Sequence, residues 1–406
     1  MTMVIAQHCG LMPFGWTGVW LFFVISGYVI TRNFIHEAPT DIWSSLGQFF
    51  RRRFFRIVPV YLLYLLIVIA LSYALIGEVS FQSLPYLLSF TFNWYMVANI
   101  TDSMTYIPMT QHLWTISVEE QFYLVFPFLF LFSSRRNFLW LLIAFIAAGP
   151  LVRLVYEHAS GLTEVEPLRA AFGVYAASIC HFDAFLIGAL IARLEPELRS
   201  RNGIGPLILK AAIACAALYV MAYIFINRQN GATGLDQFRN IISGIYYGQG
   251  REIIGYSVIN FVAAALIVNV LVGNRYFQWL GNSTLTGVGR VSYGGYLFHV
   301  LVLHLAYNYS FLGPEAGEAL SIPQRLVLFA VVLPVTIGIA YVSFNWFESP
   351  ISRWSRKPAD AARADHSTAL APVRSMLALP DVARTAFASL SVRSGLGKSG
   401  RLGRPD

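Results

Sequence analysis

Stretches of about twenty mostly apolar residues, parted by short polar segments, recur along nearly the whole chain. A hydrocarbon core of roughly 30 Å takes about 20 helical residues to cross. Nine full spans are expected, near 15–33, 58–77, 112–132, 138–156, 172–192, 206–226, 253–272, 290–311 and 325–346. Residues 1–8 read as what remains of one more. The stretch 84–98, LPYLLSFTFNWYMVA, is too short and, at Asn93, too polar to cross. It is expected to be partly embedded, with its backbone covered by protein or water.

Composition agrees with that pattern. Length alone, 406 residues, would suggest two or three soluble domains, but 56% hydrophobic and 12% charged residues with a mean hydropathy of +0.58 predict an all-α, polytopic membrane helix bundle. The net charge of +8 sits mostly at one end, since residues 353–406 hold ten Lys/Arg against four Asp/Glu. The chain therefore divides into a transmembrane domain over 1–353 and a basic tail over 354–406, expected to be disordered and cytoplasmic, lying on anionic lipid. Interleaved aromatics are almost absent from the tail, so nucleic acid is not expected as a partner. Cys9, Cys180 and Cys215 lack metal-ligand spacing and read as small core residues. No cleavable signal peptide is expected.

The densest basic cluster, Arg51, Arg52, Arg53 and Arg56, falls between the first two full spans and marks a cytoplasmic loop. His8 and Cys9 then lie toward the outer face. The 112–132 segment runs from outside to inside provided 84–98 does not cross, and Arg135 and Arg136 fall inside. A bacterial inner membrane suits this arrangement.

Ionisable side chains inside spans cost about 2.5–3.5 kcal/mol each at a helix centre, so each needs a partner, water or a function. The segment HLWTISVEEQFYLVFPFLFLF carries His112, Glu119 and Glu120. On a continuous helix His112 and Glu119 lie within about 20° of each other and Glu120 about 100° away, so the two carboxylates should meet different surroundings. Both could equally be solvated at a span end or hold arginines of neighbouring helices. His181 and Asp183 sit on different faces, and Asp183 stands alone in an apolar run. His299 and His304 could be core histidines, and one spaced pair makes no metal site.

Six pieces in order carry a resemblance: a histidine before GVWLFFVISGYVI (18–30), then RRRFFRIVPVY (51–61), HLWTISVEEQFYLVFP (112–127), HFDAFLIGAL (181–190), GRVSYGGYLFH (289–299) and FNWFESP (344–350). Together they are similar to the membrane-bound acyltransferase 3 family, bacterial O-acyltransferases of cell-surface glycans, over about residues 1–353. The resemblance implies a core of ten spans. In that family an arginine and a histidine separated by ten residues in the first span are linked to activity. His8 falls at the histidine position, and the arginine would precede Met1. Either the start is placed too far downstream, the expected reason because eight residues cannot span a bilayer, or the chain is a truncated paralogue whose first helix cannot form.

The resemblance further implies that Arg53 and Arg56 contact acyl-coenzyme A, whose phosphates suit guanidinium forks; a topology anchor would explain the same charge. His8 is the expected base for a sugar hydroxyl, since an imidazole with pKa near 6.5 accepts protons at neutral pH. Glu119 and Glu120 are candidates to orient a histidine, bind sugar hydroxyls or pair with arginine. His112, Trp114, Ser117, Asp183 and His299 are candidate substrate-binding residues, although Trp114 could be a lipid-interface tryptophan and Ser117 a packing residue. Glu348 is expected to cap or anchor the last span. Acyl-CoA, most simply acetyl-CoA, is the co-substrate, a carbohydrate the acceptor, and no bound cofactor or metal is required. The rival reading is a transporter or flippase of lipid-linked sugars without acyl chemistry; inverted repeats, common in transporters, are not evident.

Overall fold

The computed structural model describes residues 1–37, 41–77, 79–100, 102, 105–159, 167–242, 245, 246, 248–309 and 320–355. All regular secondary structure among them is helical: α1 (Thr2–His8), α2 (Thr17–Glu37), α3 (Ile42–Ile76), α4 (Leu84–Leu88), α5 (Phe92–Ala98), α6 (Trp114–Leu131), α7 (Arg135–Ala159), α8 (Pro167–Ala176), α9 (Phe182–Arg193), α10 (Glu195–Ser200), α11 (Ile204–Gln229), α12 (Arg251–Leu271), α13 (Ser283–Arg290), α14 (Ser292–Tyr309), α15 (Ile322–Ser343) and α16 (Ser349–Arg353). Met1–Pro350 form one compact unit and the residues from Ile351 a second. Of the expected disordered tail, 356–406 lie outside the described residues.

Among the described residues, six segments are long and apolar enough to cross a membrane: α2, α3, α7, α11, α12 and the stretch from Ile322 to Arg353 that begins with α15. They answer to six of the nine expected spans. The other three, 112–132, 172–192 and 290–311, are those that carry Glu119 and Glu120, His181 and Asp183, and His299 and His304. Polar side chains lower their apolarity, and in all three the helix is also shortened or interrupted.

The interruption is plainest in 172–192, expected as one continuous span. Here α8 ends at Ala176, a 3₁₀ turn covers Ser178–Cys180, and α9 restarts at Phe182. Backbone carbonyls freed by the break need donors when water is excluded. They have them: Asn93 Nδ2 donates to Ala176 O (3.0 Å), His181 Nε2 to Tyr175 O (2.9 Å) and Arg153 Nη1 to Cys180 O (2.8 Å). Asn93, the residue that made 84–98 too polar to cross, is fully buried in α5 for this reason. Gln121 on α6 completes the network, donating to Asn93 Oδ1 (2.9 Å) and accepting from Ser178 Oγ (2.6 Å) and Trp94 Nε1 (3.0 Å).

Two further expectations need correction. The arginine cluster is not in a loop. It lies within α3, whose 35 residues at about 1.5 Å rise would reach roughly 52 Å, far beyond a bilayer core, so its first turns extend past the membrane and Arg56 stands where the spanning part begins. Asp41 caps this helix by accepting from Ser44 N at 2.8 Å. Nor does 112–132 form one α-helix: a 3₁₀ turn spans Gln111–Leu113 and α6 begins at Trp114. His112 therefore leaves the helical stripe on which it was aligned with Glu119.

Around these breaks the bundle closes on glycines. A Cβ on Gly27 of α2 would overlap Phe185 O, and one on Gly188 of α9 would overlap Val24 O, so α2 and α9 approach backbone to backbone. Helix α1 packs Ile5 against Val302 of α14 and Leu328 and Val332 of α15.

Candidate active site

Three histidines from three different elements meet. The ring of His299, buried on α14, lies 5.4 Å from that of exposed His8 at the end of α1 and 5.0 Å from that of buried His112. Carbonyl neighbours fix the tautomers, because a carbonyl can only accept. His299 Nδ1 faces Tyr296 O at 2.6 Å and His112 Nε2 faces Leu297 O at 3.1 Å, so those nitrogens carry the protons. The remaining nitrogens, His299 Nε2 and His112 Nδ1, have no hydrogen-bond partner and keep free lone pairs. Tyr296 and Thr115 brace the group: their hydroxyls lie 2.7 Å apart and 3.1 and 3.0 Å from His112 O, so with two protons between them one donates to that carbonyl and the other either to it or to its neighbouring hydroxyl. Among the described residues no group of three or more His, Cys, Asp or Glu is disposed to hold a metal ion.

The carboxylates lie one to two turns further along α6. Glu119 is buried, and Ser26 Oγ donates to its Oε1 at 2.9 Å. Ser26 has a single hydroxyl proton, so the Tyr123 hydroxyl, 2.5 Å from Ser26 Oγ, donates in turn to Ser26. The guanidinium of Arg53 lies over the Tyr123 ring, 4.5 Å from its centroid, within electrostatic range of both Glu119 and Glu120. Arg56, exposed one turn on, is in range of Glu119 and Glu348. The two glutamates, expected to meet different surroundings, share Arg53, although Ser26 bonds Glu119. One oxygen of Glu120 is buried without a partner. Glu348 does not merely end the last span: a π-turn over Phe344–Glu348 points it at Gly294, where a Cβ would meet its Oε1 at 2.7 Å, and Ser343 Oγ donates to it at 2.8 Å.

A cavity of about 200 Å³ is lined by Val19, Phe23, Thr115, Glu119, Tyr293 and Tyr296, of which Thr115 and Tyr296 also bear on His112. An aromatic group begins two residues after His112, at Trp114. Trp114 packs on Tyr175 (4.8 Å between ring centroids) and near Trp20 (6.5 Å), which stacks on Tyr256 at 5.2 Å and meets His181 edge-on at 5.0 Å.

The structure thus gathers His8, His112, His299, Glu119, Glu120, Arg53, Arg56 and Trp114 into one connected region, whereas Ser117 and Asp183 stand apart. Ser117 is fully buried and its hydroxyl turns back to Leu113 O within its own helix. Asp183 is paired with Arg153 Nη1 at 2.9 Å, both side chains being buried. Arg153, Ser26 and Tyr296 went unselected in the sequence. For Arg153 a signal existed, a lone guanidinium in the apolar run 138–156; Ser26 and Tyr296 are ordinary residue types that only the packing brings to Glu119 and His112.

With this geometry in hand, comparison with known proteins is informative. Residues 1–344 match the acyltransferase domain family. Among curated proteins, the chain is 26% identical over 352 residues to the O-acetyltransferase OatA of Staphylococcus aureus strain NCTC 8325, covering 84% of this chain and 53% of the relative. OatA of strains COL and MRSA252 gives the same figures. The chain thus spans about half the length of these relatives. No solved structure matches.

Proposed function

This chain belongs to the acyltransferase family whose domain it matches over 344 residues, and from that premise we propose that it is a membrane-embedded O-acyltransferase moving an acyl group, most simply acetyl, from acyl-CoA to a carbohydrate hydroxyl. The observation that carries the reading is the meeting of exposed His8 with His299 and His112, both holding free lone pairs, next to Thr115 and Tyr296, which with Glu119 line a cavity.

In this mechanism Arg53 and Arg56 bind phosphates of the donor, and the thioester reaches the histidine group through the cavity. His8 takes the proton of the acceptor hydroxyl as its oxygen attacks the thioester carbonyl. A new C–O bond forms, the C–S bond breaks, and the proton ends on the departing thiolate, so the products are ester and free thiol. Glu119, fixed by Ser26, holds Arg53 in place. The relatives' name, O-acetyltransferase, supports acetyl as the group transferred. The Arg53 side would face the cytoplasm of a bacterial inner membrane, where acyl-CoA is made.

The test is purified protein in detergent with radiolabelled acetyl-CoA. Acyl transfer to a glycan, or slow acceptor-free release of free thiol, is expected. His8→Ala should reduce it by about 10²-fold or more, the usual contribution of a general base. Sugar translocation without any turnover of acetyl-CoA would instead favour a transporter.

A further inference from the structure

Resting on that acyl-transfer reading, we propose that the aromatic seam beyond Trp114 is the acceptor subsite, which takes up one neutral pyranose ring. The argument begins with polar groups left without partners. Trp16 Nε1, Trp20 Nε1, His181 Nδ1 and both side-chain atoms of Asn260 are buried and make no hydrogen bond. Trp20, His181 and Asn260 are 0% exposed and Trp16 is 2% exposed. An unpartnered buried donor or acceptor is destabilising, and buried tryptophans usually find a partner for their N–H.

The other two fully buried asparagines among the described residues are not left in this way. Asn93 and Asn269, equally buried, are fully engaged: Asn93 with Ala176 O, Ser178 Oγ and Gln121, Asn269 with Gly205 O, Ala265 O and Asn274. Asn260 lies one turn beyond Tyr256 on α12, and Tyr256 stacks on Trp20. Trp16 meets Trp20 edge-on at 5.0 Å and Tyr246 at 5.4 Å. Three of these orphaned nitrogens, those of Trp16, Trp20 and His181, thus belong to rings packed against one another, with Asn260 one turn further along α12. Aromatic planes edged by neutral donors and acceptors match a sugar ring, which offers apolar C–H faces and equatorial hydroxyls. Arg153 and Asp183, which border this region, neutralise each other, and a buried carboxylate, Glu252, stands one turn before Tyr256, which disfavours an anionic ring.

Position supports the same assignment. Trp114 joins the seam to the histidine group, since it follows His112 by two residues and packs on Tyr175. At the other end, beyond Tyr246, a polar cleft of about 480 Å³ is lined by Asn227, Asp236, Arg239, Gln249 and Arg251. Flanking units of a glycan would lie in that cleft while one ring enters between Trp16 and Trp114, bringing its hydroxyl toward His8.

The experiment titrates detergent-purified protein with neutral tetrasaccharides of glucose, galactose, mannose and N-acetylglucosamine, following binding by calorimetry, and measures acceptor-free acetyl-CoA hydrolysis in parallel. At least one sugar is expected to bind saturably. Asn260→Leu, which replaces an orphaned amide by an apolar side chain of similar size, should weaken that sugar by about tenfold, leave hydrolysis within about twofold and raise the melting temperature, because a buried unpaired polar group is removed. Trp20→Phe, which keeps a ring and loses the N–H, should weaken binding in the same way. No binding of any tetrasaccharide to a wild type that hydrolyses acetyl-CoA would overturn the subsite, as would unchanged affinity in both variants. Sugar binding without any hydrolysis would instead defeat the acyl-transfer reading and leave the subsite standing.

Discussion

At the residue scale, the site depends on side chains whose meaning comes from their partners. Glu119 is the clearest case. In sequence it could orient a histidine, solvate a helix end or pair with arginine, and the structure ties it to Ser26 and, through charge, to Arg53. Neutralising it should therefore act on the donor side: Glu119→Gln is expected to raise the KM for acetyl-CoA by about tenfold, equivalent to roughly 1.4 kcal/mol, with a smaller change in kcat. Equal losses in kcat and kcat/KM would assign it to the transition state instead. Arg53→Ala should raise the same KM, and Arg56→Lys less so, because a lysine keeps the charge but loses the bidentate fork. The pairing of His299 with His8 was not legible, for nothing in the spacing of residues 8 and 299 tells which ring faces which. The motifs told only that both positions matter.

Elements explain why some readings held and others changed. The apolar runs that became α2, α3, α7, α11 and α12 were legible because periodic hydrophobicity over twenty residues has few alternatives. The break between α8 and α9 was not, since it depends on donors supplied from elsewhere: Asn93 in α5, Arg153 in α7 and His181 itself. Arg153 makes four such bonds, to Cys180 O, Ile253 O, Ser257 Oγ and Asp183. Arg153→Met should therefore destabilise the protein by about 3–5 kcal/mol, as expected when one partner of a buried ion pair is removed, read as a lower melting temperature in detergent. Adding Asp183→Leu removes the stranded carboxylate but leaves Cys180 O and Ile253 O unpaired, so the double variant should recover only part of the loss. Full recovery would mean that the carbonyl bonds contribute nothing. Gly188→Leu should abolish folding outright, because α2 and α9 would be forced apart at Val24 O.

At the scale of the whole molecule, polar groups form a path through an apolar bundle, running from Arg53 and Arg56 past Glu119 to the three histidines and on to Trp114. Near the ends of α2 and α9 the bundle is also tied by Glu195, which accepts from Tyr28 (2.8 Å) and from Arg199 (2.8 Å) and pairs with Arg32. Partial burial opposes its charge, but those hydrogen bonds and the two arginines outweigh it and hold the carboxyl below its usual range. A depressed folded-state pKa means that its contribution is complete above the unfolded value of about 4.3 and fades as pH falls below it. Wild type should thus melt above Glu195→Gln at neutral pH, with the gap closing in acid.

The path itself is tested most directly by sidedness. Acetyl-CoA does not cross membranes, so intact vesicles of opposite orientation, made from cells producing the protein, show which face admits the donor. Inverted vesicles, exposing the Arg53 end, should turn over added acetyl-CoA, whereas right-side-out vesicles should do so only after permeabilisation, and His8→Ala should be silent in both. Equal turnover by intact vesicles of both orientations, or turnover that survives His8→Ala, would contradict a single donor path leading from Arg53 to His8.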